Sequence, residues 1–241
     1  MSELKRLMTF RENITHFTDQ APDRTVIDQI LRDAHELVPV KNNMWNYHID
    51  VYGPEHDVEK KQVAMQTITG YNKSKFAPGN ESHDDVDQLS ELYDGWKKNR
   101  EILRQDPKQG GIYKYHGYSF NDQVRAPYLL VYYQRPGTPT EKQMEKGYRK
   151  HLINYSDNSQ WMIAASMHGY GTTLLCAEQK LYASFCKCYY RSYVNFTNIL
   201  APLKHGFENV AFLLGIGYRD NELPYYKNVS KPDYGEIVNW K

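Results

Sequence analysis

Asp157-Asn158-Ser159-Gln160-Trp161-Met162-Ile163-Ala164-Ala165-Ser166-Met167-His168-Gly169-Tyr170-Gly171-Thr172-Thr173 is the stretch on which the fold turns. Trp161, Met162, Ile163, Ala164, Ala165 and Met167 make Asp157 to His168 a helix rich in small and apolar residues. Gly169-Tyr170-Gly171 follows, and glycine is the natural stop for a helix. The helix is therefore expected to end there.

Strand candidates lie on both sides. Val210 to Leu214 is a short apolar run leading into Gly215-Ile216-Gly217-Tyr218. Pro127 to Tyr133 is another, closed by Arg135-Pro136-Gly137. Both read as buried strands. Trp45, Tyr47, Ile49 and Val51 alternate with Asn46, His48 and Asp50, the pattern of a half-buried strand ended by Gly53-Pro54.

Upstream, Val26, Ile27, Ile30, Leu31, Ala34 and Leu37 form the apolar stripe of a helix from about Asp23 to Val38. Asp23 is its N-cap and Pro39 its stop. Ser2 caps a shorter first helix whose Leu4, Leu7 and Met8 share a face, and a turn-like stretch runs from Arg11 to Gln20. The middle, about 57–122, is polar and mainly helical, with a stripe at Val86, Leu89, Leu92, Tyr93 and Trp96. Phe185 to Ala201 carries no clear period. The tail from Arg219 to Lys241 reads as loop with an apolar grip at Ile237, Val238 and Trp240. The order predicts an α+β fold, a mixed central β-sheet flanked by helices, in a single domain over 1–241 with a variable insert at about 57–122.

Composition narrows the function. The chain has 241 residues, formal net charge +1, 24% charged residues and a mean hydropathy of -0.76. A near-zero charge argues against a general nucleic-acid binder, which needs a basic footprint. No apolar run approaches the roughly 20 residues of a membrane span; Val210 to Gly217 is far shorter. The basic start at Lys5-Arg6 has no apolar core behind it, so no signal peptide is expected. Three cysteines, two of them in Cys186-Lys187-Cys188, make neither a C-x-x-C nor a zinc set and fit reduced thiols in a cytoplasmic protein. The 21 tyrosines are scattered and read as packing with a polar tip.

Four segments carry chemistry, each with a plainer reading beside it. Arg11-Glu12-Asn13-Ile14-Thr15-His16-Phe17 sets a guanidinium and two hydrogen-bonding side chains at alternate positions, which in an extended turn point the same way. Such a set can hold a phosphate; alone it is a surface turn. Val38-Pro39-Val40-Lys41-Asn42-Asn43-Met44-Trp45 runs from a helix end into a strand and can offer Asn43 to a polar ring edge, or be a simple connection. Gly169-Tyr170-Gly171-Thr172-Thr173 allows close backbone approach, or is a helix stop. Lys227 and Lys231 lie in the tail, where lysines are usually solvated. No G-x-G-x-x-G, Walker lysine, G-x-S-x-G or H-E-x-x-H is present, and the nine dispersed histidines suggest no metal site.

Taken in order, these segments resemble the nitroreductase-like flavoprotein family. The family's R-x-S-x-R-x-F opening corresponds to Arg11, Asn13, Thr15 and Phe17. Its A-P-S-x-x-N-x-Q-P-W segment corresponds to Val38-Pro39-Val40, Asn43 and Trp45, with a shortened gap. Its small-residue helix ending in G-L-G-T corresponds to Asp157 through Gly169-Tyr170-Gly171-Thr172. Its G-Y pair and basic tail correspond to Gly217-Tyr218 and Lys227 to Pro232. The resemblance covers both ends of the chain well and the middle poorly. The second family arginine is Thr15, the serine is Val40, and the tail arginine is absent.

The resemblance implies FMN bound at a homodimer interface, with NAD(P)H as co-substrate and an electron-poor small molecule, nitroaromatic or quinone, as acceptor. It implies that Arg11, Asn13 and Thr15 face the phosphate and ribityl chain, helped by Lys227 and Lys231. Pro39, Val40, Lys41 and Asn43 would come from the partner subunit. Thr173, Leu174, Leu175 and Cys176 would lie by the flavin ring, offering a backbone N–H. The flavin carries the chemistry, so no protein nucleophile is required. The variable segment, with Tyr113, Tyr115 and Tyr118, would form a substrate lid. Other readings stay open: dehalogenation or flavin fragmentation on the same fold, a non-catalytic flavin binder, or an interaction protein.

Overall fold

The computed structural model describes residues 2–11, 14, 16–39, 45, 47–66, 69–70, 91, 94, 114–115, 118–119, 122–134, 141–145, 159–186, 210–221 and 233–238. The two long apolar runs form the central strands. β5 (Tyr128–Gln134) and β7 (Val210–Gly217) pair antiparallel, and both are buried along almost their whole length. β1 (Tyr47–Tyr52) flanks β5, and β6 (Tyr182–Cys186) flanks β7, giving the order β1-β5-β7-β6. Every pairing among these strands is antiparallel, where a mixed sheet was expected. The order of apolar runs along a chain does not encode strand direction. β6 was not foreseen, because Tyr-Ala-Ser-Phe-Cys shows neither alternation nor a continuous apolar run.

Helices cover one face of the sheet. α2 (Arg24–Leu37) is capped as expected: Asp23 accepts from the Thr25 amide at 2.8 Å. Its Ile27, Ile30 and Ala34 are buried. They join Tyr128, Leu130, Tyr132, Leu214 and Ile216 from the sheet in one apolar core. α1 (Glu3–Phe10) is capped by Ser2, but Leu4 and Met8 stay exposed, and the helix holds on through Phe10, which stacks on Tyr182 at 4.9 Å.

The helix rich in small residues is longer than expected. In chain order α3 is Asp57–Gln66, α4 is Glu141–Glu145, and α5 runs from Ser159 to Glu178, straight through Gly169-Tyr170-Gly171. Its stop is Lys180, at φ 59°. There Lys180 N–H donates to the Ala177 carbonyl at 3.1 Å, and Leu181 N–H to the Cys176 carbonyl at 2.8 Å. This pair of bonds closes a helix end without a glycine. The glycines serve packing instead. A Cβ on Gly169 would lie 2.8 Å from the Phe212 ring, and one on Gly171 would strike the Val38 side chain.

Of the segment 57–122, α3, three short strands and a few isolated positions are described. β2 (Thr69–Gly70), β3 (Lys114–Tyr115) and β4 (Tyr118–Ser119) form a small sheet in the order β2-β4-β3. The stripe Val86, Leu89, Leu92, Tyr93 and Trp96 and the Tyr113 position lie outside the described residues. The buried Lys60 ties α3 to the sheet, donating to the Pro127 carbonyl at 3.1 Å. In the tail, α6 (Tyr234–Ile237) leaves Ile237 exposed, so it is no apolar grip; Trp240 lies outside the described residues.

Candidate functional site

The ends of α1 and α2 both arrive at the middle of α5. α1 stops at Arg11, whose N–H closes the helix on the Leu7 carbonyl at 2.8 Å. Ile14 and Phe17 are buried, and at Phe17 the chain bridges antiparallel to Arg219, just past β7. Thr18 N–H donates to the Tyr218 carbonyl at 2.9 Å, and Asp220 N–H to the His16 carbonyl at 3.2 Å. The expected turn from Arg11 to Gln20 is thus partly an edge to the sheet. This anchoring fixes the start of the segment, and Arg11 lays its guanidinium 5.2 Å from the centroid of the Tyr170 ring. The Arg11 Nε is buried and meets no hydrogen-bond partner among the described residues. A guanidinium so placed is half satisfied: one face rests on an aromatic ring, and a buried N–H awaits an acceptor.

α2 arrives on the next residue. Val38 packs where a side chain on Gly171 would stand, and Pro39 follows, exposed. Arg11 and Val38, each from a segment singled out in the sequence, thereby reach neighbouring positions of one helix. Asn13, Thr15, Val40, Lys41, Asn43, Lys227 and Lys231 lie outside the described residues.

Thr173, Leu174, Leu175 and Cys176 do not follow a helix stop; they are inside α5. Interior helical N–H groups point to the carbonyl four residues back, so they are not offered to a ligand. Thr173 gives its hydroxyl proton to the Tyr170 carbonyl at 2.7 Å, and Cys176 is wholly buried in the core. Burial pushes the Cys176 thiol up to about 12. Leu175 instead lines a shallow groove of about 180 Å³ with Val26, Ile30 and Asp33 of α2. The resemblance implied a backbone N–H offered from these four residues; in α5 those N–H groups lie inside a continuous helix.

Two features were not legible beforehand. Tyr170, the ring under Arg11, lies on a stripe of exposed apolar residues with Ile163 (49% exposed) and Met167 (36% exposed). Two residues from Tyr170, on the inner side, the buried His168 meets Tyr132. Among the described residues no group of three or more His, Cys, Asp or Glu could hold a metal ion, and no helix is long and apolar enough to cross a membrane.

Solved structures share this fold. A nitroreductase-like family protein from Bacillus cereus superposes with a TM-score of 0.58, covering 100% of this chain and 97% of its own, at 14% identity. The chain has the nitroreductase-like fold. An FMN- and NADPH-dependent nitroreductase from Sphigopyxis sp. strain HMH matches at TM-score 0.59 and 15% identity, covering 100% of this chain and 99% of its own. A BluB-like flavoprotein from Clostridium difficile 630 matches at TM-score 0.57 and 17% identity, each chain covered in full at 100%. No protein-family model matches the sequence, and no curated protein does. The nitroreductase-like fold drawn from the order of weak motifs is thus the fold observed.

Proposed function

We propose that this chain is an FMN-dependent oxidoreductase that takes reducing equivalents from NAD(P)H and passes them to an electron-poor small molecule of nitroaromatic or quinone type. The observation that carries the reading is Arg11, held over Tyr170 with a buried, unanswered Nε. Its fork suits the oxygens of a phosphate, and a phosphate would satisfy the group that the fold leaves open. Tyr170 keeps the guanidinium from swinging away. Lys227, Lys231 and Lys41 are the nearest replacements in sequence for the missing family arginines, as point charges rather than forks. Asn13, Thr15, Pro39, Val40 and Asn43 complete the proposed cofactor set. FMN, when bound, supplies the hydride chemistry. The protein's part is to bind and orient it and to exclude water. The neighbouring flavoproteins of the same fold support the reading.

The proposal includes a cytoplasmic homodimer. Ile163, Met167 and Tyr170 repeat at helical spacing on the outside of α5, and no charged residue occurs between Ser159 and Ala177. A helix apolar on both sides seeks a cover. A second copy offering the same stripe is self-complementary. Met167→Glu is expected to convert a dimer to a monomer in sedimentation velocity; wild-type protein sedimenting as a monomer would overturn the interface.

The test of function is a visible absorption spectrum of the protein with and without FMN, followed by anaerobic NADPH. Perturbed flavin bands that bleach are expected. Arg11→Ala should weaken FMN binding about 10- to 100-fold, the range for losing a hydrogen bond to a charged group. No perturbation with excess FMN would sink the flavoenzyme reading and leave the non-catalytic one.

A further inference from the structure

The inner side of α5 holds a second group of chemistry-bearing side chains. Tyr132 is 0% exposed and His168 2%. The Tyr132 phenol oxygen lies 3.1 Å from the His168 Nδ1. Thr172 Oγ1 is 3.5 Å from the same nitrogen, but its proton goes to the His168 carbonyl at 2.9 Å. In the tautomer that carries the imidazole proton on Nε2, the Nδ1 lone pair accepts from the Tyr132 O–H. Aromatic rings continue the pair toward the surface. Tyr47 lies 6.2 Å from Tyr132, centroid to centroid, and Trp45 lies 6.0 Å from Tyr47. Trp45 is partly exposed and packs against His35 at 4.5 Å.

We infer that Tyr132 and His168 form a proton-coupled redox site that traps oxidising equivalents entering at Trp45. Removing an electron from a phenol makes it a strong acid, so oxidation of a buried tyrosine requires a base already in contact with its O–H. Bulk water cannot serve a side chain with no exposure. His168 Nδ1 is the base in contact. Burial penalises the imidazolium, yet even a weakened imidazole is a far stronger base than an oxidised phenol. The rings between Trp45 and Tyr132 follow one another closely, so an electron crosses them by short steps.

The balanced reaction is one electron and one proton. A one-electron oxidant of the peroxyl- or carbonate-radical class takes an electron from Trp45 and is reduced to its anion. Tyr132 refills Trp45 through Tyr47. The Tyr132 O–H bond breaks and an N–H bond forms at His168 Nδ1, leaving a phenoxyl radical beside an imidazolium. A one-electron donor such as ascorbate restores the phenol, and His168 returns the proton. Complete burial keeps the phenoxyl from coupling with the other tyrosines of a chain that has 21 of them.

Flash oxidation by a photoexcited ruthenium polypyridyl complex with persulfate, read by transient absorption and freeze-quench electron paramagnetic resonance, tests this. The wild-type protein is expected to give a long-lived neutral tyrosyl radical. Tyr132→Phe should abolish it, and Trp45→Phe should slow its appearance. His168→Gln keeps a hydrogen-bond acceptor but removes the base, and should slow formation about 100-fold, as loss of a positioned proton acceptor does. The same long-lived radical in Tyr132→Phe would overturn the assignment. If that variant does not fold, unchanged rates in both His168→Gln and Trp45→Phe would overturn it equally.

Discussion

Gly215→Val is expected to lower the melting temperature by about 6–12 °C, the consequence of roughly 3 kcal/mol of overpacking in a chain of this size. Gly215 lies in β7, between Leu214 and Ile216, both wholly buried. The 3₁₀ turn Asp122–Arg125 sits directly on it. A Cβ built there would strike the Gln123 carbonyl oxygen and come within 2.9 Å of the Ala126 Cβ. Neither neighbour is the tip of a flexible side chain, so the turn itself must move. Moving it strains the bonds of Gln123, which donates to Ser184 Oγ at 2.6 Å and to the Ile14 carbonyl at 3.4 Å. Those bonds hold β6 and the segment after Arg11 in place, so the damage should reach the proposed anion site. Gly235→Ala is the control: nothing lies within 4 Å of its added Cβ. Thermal melts by circular dichroism decide the matter. A Gly215→Val melt equal to wild type would mean that the turn does not pack as described.

The same glycine contrast separates what the sequence reveals from what it hides. β5 and β7 were legible because continuous apolar runs have few alternatives, and β1 because alternation has a period of two. The ends of α2 were legible because Asp23 and Pro39 act locally, the first through a side chain that caps the Thr25 amide and the second through its ring. Gly169 and Gly171 misled, because local rules read a glycine after a helix as a stop. Their contacts are with Phe212 and Val38, far away in the chain. Arg11 was legible as an anion ligand by type and position, whereas its ring partner Tyr170 was not, since the two are joined by folding alone. The His168 pair with Tyr132 is hidden for the same reason: the residues are 36 apart, on a helix and a strand. A histidine among scattered histidines carries no local mark of burial.

That burial gives His168 a second consequence, acid lability. Burial, with the nearby His35 adding to it, lowers the His168 imidazole from 6.5 to about 4. An unfolded chain takes up a proton at this residue near pH 6.5, and the folded chain only near pH 4. Between these values the unfolded state binds more protons, so stability falls as pH falls through that window and levels off below it. The full loss from this one group is about 3 kcal/mol, a sizeable part of the 5–15 kcal/mol that typical domains possess. Tyr132 and Tyr47 pack around the ring from the sheet and His35 faces it from α2, with no carboxylate among these contacts to shelter an imidazolium. His168→Gln should retain an acceptor for the Tyr132 O–H while removing the titration. Urea unfolding at pH 7 and at pH 4.5 is expected to show a smaller loss of stability in the variant than in the wild type. Parallel losses would place the acid lability elsewhere, in the carboxylates common to both proteins. A difference confined to this window would instead show that the imidazole at the centre of α5 is kept neutral by the fold, the state in which its Nδ1 accepts from Tyr132.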